Sequence, residues 1–120
     1  MKKKKILLIE DEANQRILYK ETLETHGYEV LAVSNGEDGL KLLGNTSVDL
    51  VIVDIRMPKM SGLETISNIL GQRKNLPVII YTSYPQYKTD FMSWAADAYI
   101  IKSSTGLDEL VAKVKELIGD

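Results

Sequence analysis

Short apolar runs recur along the chain, each separated from the next by a more polar segment. Ile6-Leu7-Leu8-Ile9, Tyr28 to Val33, Leu50 to Val53, Val78-Ile79-Ile80-Tyr81 and Ala98-Tyr99-Ile100-Ile101 have the length of strands. Most are continuous in apolar and β-branched residues, as strands buried on both faces of a parallel sheet are. The segments between them predict helices. The first runs from about Ala13 to His26, buries Ile17, Leu18 and Leu23, and ends at Gly27. The second starts from an Asn35 cap, carries Leu40, Leu42 and Leu43, and closes at Gly44-Asn45. The third, about 62–71, buries some of Leu63, Ile66, Ile69 and Leu70. The fourth, about 86–94, is aromatic-rich and irregular, and the last has Leu107, Leu110, Val111, Val114, Leu117 and Ile118 at strong helical spacing. Thr105-Gly106-Leu107-Asp108 has capping-box spacing at its start.

Five strands alternating with five helices predict an α/β fold, a doubly wound parallel sheet with helices on both faces and right-handed crossovers. At 120 residues and 44% hydrophobic composition the chain fits one domain, 1–120, with a core of its own. A net charge of −2 argues against direct nucleic-acid binding as the main function. The absence of cysteine excludes disulfides, thiolate chemistry and Cys-ligated zinc, and permits a cytoplasmic home. No apolar run reaches membrane-spanning length. Lys2 to Lys5 read as a solvated chain start, because the apolar stretch behind them is too short for a signal peptide.

The chemistry lies at the strand ends. The first strand finishes on Glu10-Asp11, the third on Asp54, the fourth on Thr82 and the fifth on Lys102, which gathers these groups on the carboxyl edge of the sheet, where open α/β folds bind ligands. Three carboxylates in one cleft repel each other and call for a cation; an all-oxygen site with room for water suits Mg2+ best.

The chain resembles the receiver domain of two-component response regulators, over nearly all of its length. The resemblance is carried by Asp54-x-x-Met57-Pro58-x-x-x-Gly62, the acidic pair Glu10-Asp11, Thr82 after an apolar strand, and Tyr99-x-x-Lys102. It implies strand order 2-1-3-4-5 and a phosphoacceptor that catalyses only its own phosphoryl transfer and dephosphorylation. The donor would be a histidine kinase or phosphotransfer protein, and the recipient of the signal a downstream protein or output domain. Asp54 would be phosphorylated, with Mg2+ held by Asp11 and Asp54, Glu10 acting through water and the Arg56 carbonyl as a further ligand. Asp11 is expected to dominate Glu10 and Glu12 in metal binding. Lys102 and Thr82 would contact the phosphoryl oxygens, and Thr82 and Tyr99 would form the switch. Arg56 and Tyr84 would flank the approach of hydrolytic water and slow self-dephosphorylation.

This sequence departs from the family in places. Ser103 stands where proline usually follows the lysine, which aims Lys102 less firmly; Ala95 takes a usual glycine position, and Glu10 a usual aspartate position. His26, far along the first helix from the acidic edge, is a helix-end residue rather than a phosphoryl carrier. Other phosphate chemistries fit less well. An aspartyl-phosphate phosphohydrolase would want a second Asp at position 56, and a nucleotide binder a glycine- or hydroxyl-rich loop where Glu10-Asp11-Glu12 would repel phosphate. A receiver-like module that binds a partner without being phosphorylated is the remaining alternative. The chain is either a free-standing regulator or a domain of a longer one.

Overall fold

A computed structural model of the chain describes residues 2–55, 62–73, 75–84 and 96–119. The strands are β1 (Lys5–Ile9), β2 (Glu29–Val33), β3 (Leu50–Val53), β4 (Val78–Thr82) and β5 (Ala98–Ile101). The described helices are α1 (Ala13–Thr25), α2 (Gly36–Asn45), α3 (Gly62–Gln72) and α4 (Gly106–Ile118). The helix expected over 86–94 and Ala95 beyond it lie outside the described residues. All four strand pairings are parallel, and the order is β2-β1-β3-β4-β5, as the resemblance implied.

Successive strand residues point to opposite faces, so each strand feeds two cores. Leu8, Ile52, Ile79, Tyr81 and Ile100 pack with Tyr19 and Leu23 of α1 and Leu110, Val111 and Val114 of α4. Leu7, Val51, Val53, Ile80 and Tyr99 pack on the other face with Leu43 of α2 and Ile66 and Ile69 of α3. Each face of the sheet is therefore covered by helices, which explains strands that are apolar at almost every position.

Helix α1 departs from the sequence expectation. Ile17 and Leu18 are 54% and 50% exposed, whereas Tyr19 and Leu23 are buried. At 100° per residue, Ile17, Leu18 and Tyr19 cannot share a face, and only Tyr19 has an apolar partner four residues on. Burying Tyr19 and Leu23 turns the other two outward. The end of α1 is as expected: His26 is the cap, and Gly27 adopts φ 97°. The Gly27 N–H donates to the Glu24 carbonyl (3.0 Å) and the Tyr28 N–H to the Leu23 carbonyl (3.3 Å), the pairing of a Schellman turn. Asn35 caps α2 by accepting the Asp38 N–H at 2.9 Å.

The capping box expected at Thr105 does not form. Thr105 already has helical dihedrals (φ −108°, ψ −3°), unlike the extended Asn35, and its hydroxyl donates to Glu109 Oε1 instead (3.2 Å). The Gly106 N–H is satisfied by the Ser103 carbonyl at 3.1 Å. This tight turn brings α4 against the end of β5. A Cβ at position 106 would stand 2.6 Å from the Ile101 carbonyl oxygen and 3.2 Å from the Tyr81 hydroxyl.

Gly106→Ala should therefore cost about 1–3 kcal/mol through overpacking against backbone. Gly71→Ala, at a helical position with nothing within 4 Å of the added methyl, should stabilise by about 0.5–1 kcal/mol. Urea unfolding of both variants checks this; equal effects would refute the close-approach argument.

Candidate functional site

Strand register assembles the site. Ile9 pairs with both Val33 and Val53, and the ladder continues one residue further: the Glu10 N–H donates to the Val33 carbonyl (3.0 Å) and the Asp54 N–H to the Ile9 carbonyl (3.3 Å). Glu10 and Asp54 are thus neighbours on the face of Leu8 and Ile52, beneath α1. Lys102, two residues beyond Ile100, falls on that same face, and its N–H donates to the Thr82 carbonyl at 2.8 Å.

The side chains meet there. Lys102 Nζ donates to Glu10 Oε1 (2.6 Å), Asp54 Oδ2 (2.8 Å) and Gln15 Oε1 (2.7 Å). An ammonium has three N–H donors, so all are used. Glu10 is 2% and Asp54 8% exposed, while Asp11 reaches out to solvent. Oxygens of Glu10, Asp11 and Asp54 all lie within 4.8 Å of one another, a donor set that fits a hard divalent cation. One lysine carries one positive charge against three carboxylates. Burial pushes the Glu10 carboxyl above its ordinary range, with the bond from Lys102 opposing. Burial also works against the Lys102 ammonium, but its bonds to Asp54 and Glu10 outweigh this and hold it protonated above the usual lysine range.

Neighbouring residues hold these groups in place. Glu12 accepts the N–H groups of Asn14 (3.2 Å) and Gln15 (2.8 Å) as the N-cap of α1, so it is committed to the helix rather than to the acidic cluster. The Glu12 N–H in turn donates to Glu10 Oε2 at 3.1 Å. Arg16 Nη1 donates to the carbonyls of Glu10 (2.9 Å) and Asp11 (3.4 Å), bracing the loop that carries the acidic pair. Behind Lys102 stand two aromatic rings, Tyr19 at 5.6 Å and Tyr81 at 5.8 Å from Nζ, themselves edge to face with centroids 5.1 Å apart. Burial raises both phenols to about 12. None of Gln15, Arg16, Tyr19 and Tyr81 was singled out from sequence. The available signal was the Gln15-Tyr19-Leu23 spacing, which puts a polar group at the site end of the buried stripe of α1.

Thr82 is fully buried at the end of β4, and its Oγ1 accepts the Tyr84 N–H at 3.4 Å. Tyr99 is 7% exposed, in the core on the α2/α3 face, with its hydroxyl donating to the Tyr84 carbonyl. Alternation thus sets Thr82 and Tyr99 on the face opposite Lys102. His26 is exposed at the end of α1, its Nδ1 facing the Thr22 carbonyl at 2.9 Å. Arg56, Met57 and Pro58 lie outside the described residues.

The sequence model of the response regulator receiver domain matches residues 6–115. The chain belongs to this receiver-domain family. Among solved structures, response regulator protein TrrA from Thermotoga maritima, in complex with Mg(2+)-BeF, is 46% identical with a TM-score of 0.89, covering 96% of this chain and 99% of that one. TrrA in complex with histidine kinase ThkA superposes with a TM-score of 0.87, again at 46% identity, covering 96% of this chain and 98% of that one. The alkaline phosphatase synthesis transcriptional regulatory protein PhoP of Bacillus subtilis is 31% identical over 117 residues, which are 96% of this chain and 48% of that protein. This receiver domain spans about half the length of that regulator.

Lys102→Met should leave Glu10 and Asp54 facing each other without the ammonium and cost about 3 kcal/mol, the usual scale for breaking a buried ion pair. Thermal melts with and without magnesium chloride check it: the loss should be largest without the salt and partly recovered with it. A salt-independent loss would mean that packing, not charge, is what Lys102 contributes.

Proposed function

We propose that this receiver domain takes a phosphoryl group onto Asp54 from the phosphohistidine of a histidine kinase or phosphotransfer protein, and passes the resulting change of shape to a downstream protein or output domain. The observation that carries the reading is the Asp54 carboxylate 2.8 Å from the Lys102 ammonium, with Glu10 and Asp11 oxygens gathered beside it at the ligand-binding edge of the sheet. An Asp54 oxygen attacks phosphorus as the P–N bond of the donor breaks, and the imidazole nitrogen leaves with the bonding pair and takes up a proton. Lys102 offers its point charge to the transferring oxygens. Glu10, Asp11 and Asp54 carry three formal negative charges and Lys102 one positive, which leaves the pair of charges that a divalent cation cancels. Asp11 and Asp54 would hold Mg2+, with Glu10 through water and the Arg56 carbonyl by family resemblance; the ion supplies charge neutralisation at the phosphoryl group.

The product adds charge and acceptor oxygens at Asp54. The Thr82 hydroxyl, now on the Tyr84 N–H, is the group we assign to answer them, and Tyr84 also accepts from Tyr99, so the loop after β4 links the two switch residues. The reading treats 1–120 as one receiver domain, an acceptor that turns over only its own phosphoryl group, in the cytoplasm. Among the described residues no helix is long and apolar enough to cross a membrane.

Asp54→Asn keeps the shape of the site but removes the nucleophile. With acetyl phosphate and magnesium the native chain should gain one hydroxylamine-labile phosphate by intact-mass spectrometry and the variant none. Equal labelling of both would overturn the assignment, and no labelling of the native chain would favour a binding module that is not phosphorylated.

The reading places the kinase against α1, the helix that lies over the site, where Ile17 and Leu18 leave an apolar pair exposed. Ile17→Lys with Leu18→Lys should slow transfer from a phosphorylated kinase by at least about tenfold, since anchor contacts are worth more than about 1 kcal/mol each, and leave labelling by acetyl phosphate unchanged. Equal losses with both donors would place the damage in the site instead.

A further inference from the structure

We propose that Gln15, tethered by Tyr19, is the positioning residue that holds the Lys102 ammonium over Asp54 throughout the phosphorylation cycle. The inference rests on Asp54 being the phosphoacceptor. Of the three acceptors around Lys102 Nζ, Glu10 and Asp54 are also candidate cation ligands, and Asp54 becomes an acyl phosphate. Both therefore change charge or bonding during the reaction. Gln15 Oε1, 2.7 Å from Nζ, is neutral and does neither.

The geometry fixes which end of the amide faces the lysine. An ammonium only donates, so the atom beside it must be the carbonyl oxygen. That oxygen also accepts the Tyr19 hydroxyl at 3.1 Å, which occupies its second lone pair and keeps the amide from turning over. With its phenol raised to about 12, Tyr19 remains a donor at any pH at which the domain works. Gln15 and Tyr19 are one turn apart on α1, and Tyr19 is locked in the core against Tyr81. Both rings lie over Nζ, with centroids 5.6 Å (Tyr19) and 5.8 Å (Tyr81) away. Lys102 is thereby anchored from α1, while the residue after it is Ser103, which has no proline ring to restrict the backbone.

The test uses the full chain with ¹⁵N-labelled lysine, following the Lys102 ammonium resonance, which is assigned by its loss in Lys102→Met. Gln15→Leu should shift that resonance and speed its hydrogen exchange, both in the free chain and with magnesium and beryllium fluoride. It should also slow labelling by acetyl phosphate at saturating magnesium about tenfold, the scale of a modest misplacement of a catalytic group, while magnesium affinity stays within about twofold because no carboxylate is touched. Tyr19→Phe, which removes only the hydroxyl, should move the same two readouts in the same direction by less, and added to Gln15→Leu should change nothing further. A folded Gln15→Leu chain with the native ammonium resonance and native labelling rate would overturn the proposal. So would a rate loss matched by an equal loss of magnesium affinity. Should the native chain not be labelled, the phosphoacceptor reading fails by itself, and the ammonium resonance still decides whether Gln15 holds Lys102.

Discussion

The ammonium of Lys102 between two buried carboxylates is the interaction on which the site depends. Lys102 follows β5, at one edge of the sheet, whereas Glu10 and Asp54 follow the central strands β1 and β3. The ion pairs therefore reach across the end of β4 and tie three non-adjacent parts of the chain at one point. They can meet only because parallel register and side-chain alternation deliver all three to one face at nearly one height.

Such a cluster is a poor device for stability alone. Burying carboxylates costs several kcal/mol each, and one ammonium shared by two of them, with Asp11 nearby, leaves the site short of positive charge. Burial is the main cause of the raised Glu10 carboxyl, with the neighbouring Asp54 charge adding to it and Lys102 opposing. The rest of the fold bears the cost: the two apolar layers around the sheet are closed at nearly every strand position. A site held in electrostatic deficit by a rigid scaffold is poised for a cation, which is where a sequence usually tolerates local conflict.

Much of this was legible in the sequence because the strands are short, continuous and buried on both faces, a pattern with few alternatives. The strand ends then placed Glu10, Asp11, Asp54, Thr82 and Lys102 on one edge without any knowledge of side-chain direction. What was not legible depended on rotation. The face of α1 is decided by the fit of Tyr19 against Tyr81 and of Leu23 in the core, not by the number of apolar residues, so Ile17 and Leu18 were assigned inward and point out. Thr105 had the residue type and spacing of a cap, but the tight approach of α4 at Gly106 set its dihedrals first. Gln15 looked like an ordinary polar residue of a helix start and Glu12 like a third acid beside the metal-binding pair; their roles exist only once α1 lies over the edge of the sheet.

The same alternation that gathers the charged groups also separates them from the switch. Tyr81 and Lys102 face α1 and α4, while Tyr99, and Thr82 by alternation, face α2 and α3. Strand β4 is where the two sides are closest in the chain, because Tyr81 walls the Lys102 site and the next residue, Thr82, is the proposed responder to the phosphoryl group. Tyr81 and Thr82 are consecutive in the β4 ladder, paired with Ile100 and Ile101 of β5, and share a peptide plane. A shift of the β4 end toward Asp54, as the proposed switch requires, would be felt on one side by Tyr81, packed edge to face on Tyr19, and on the other by the Tyr99 hydroxyl bonded to the Tyr84 carbonyl. Under the proposed switch, then, coupling between chemistry and surface needs no long pathway: it follows from one strand presenting successive residues to opposite faces of the sheet.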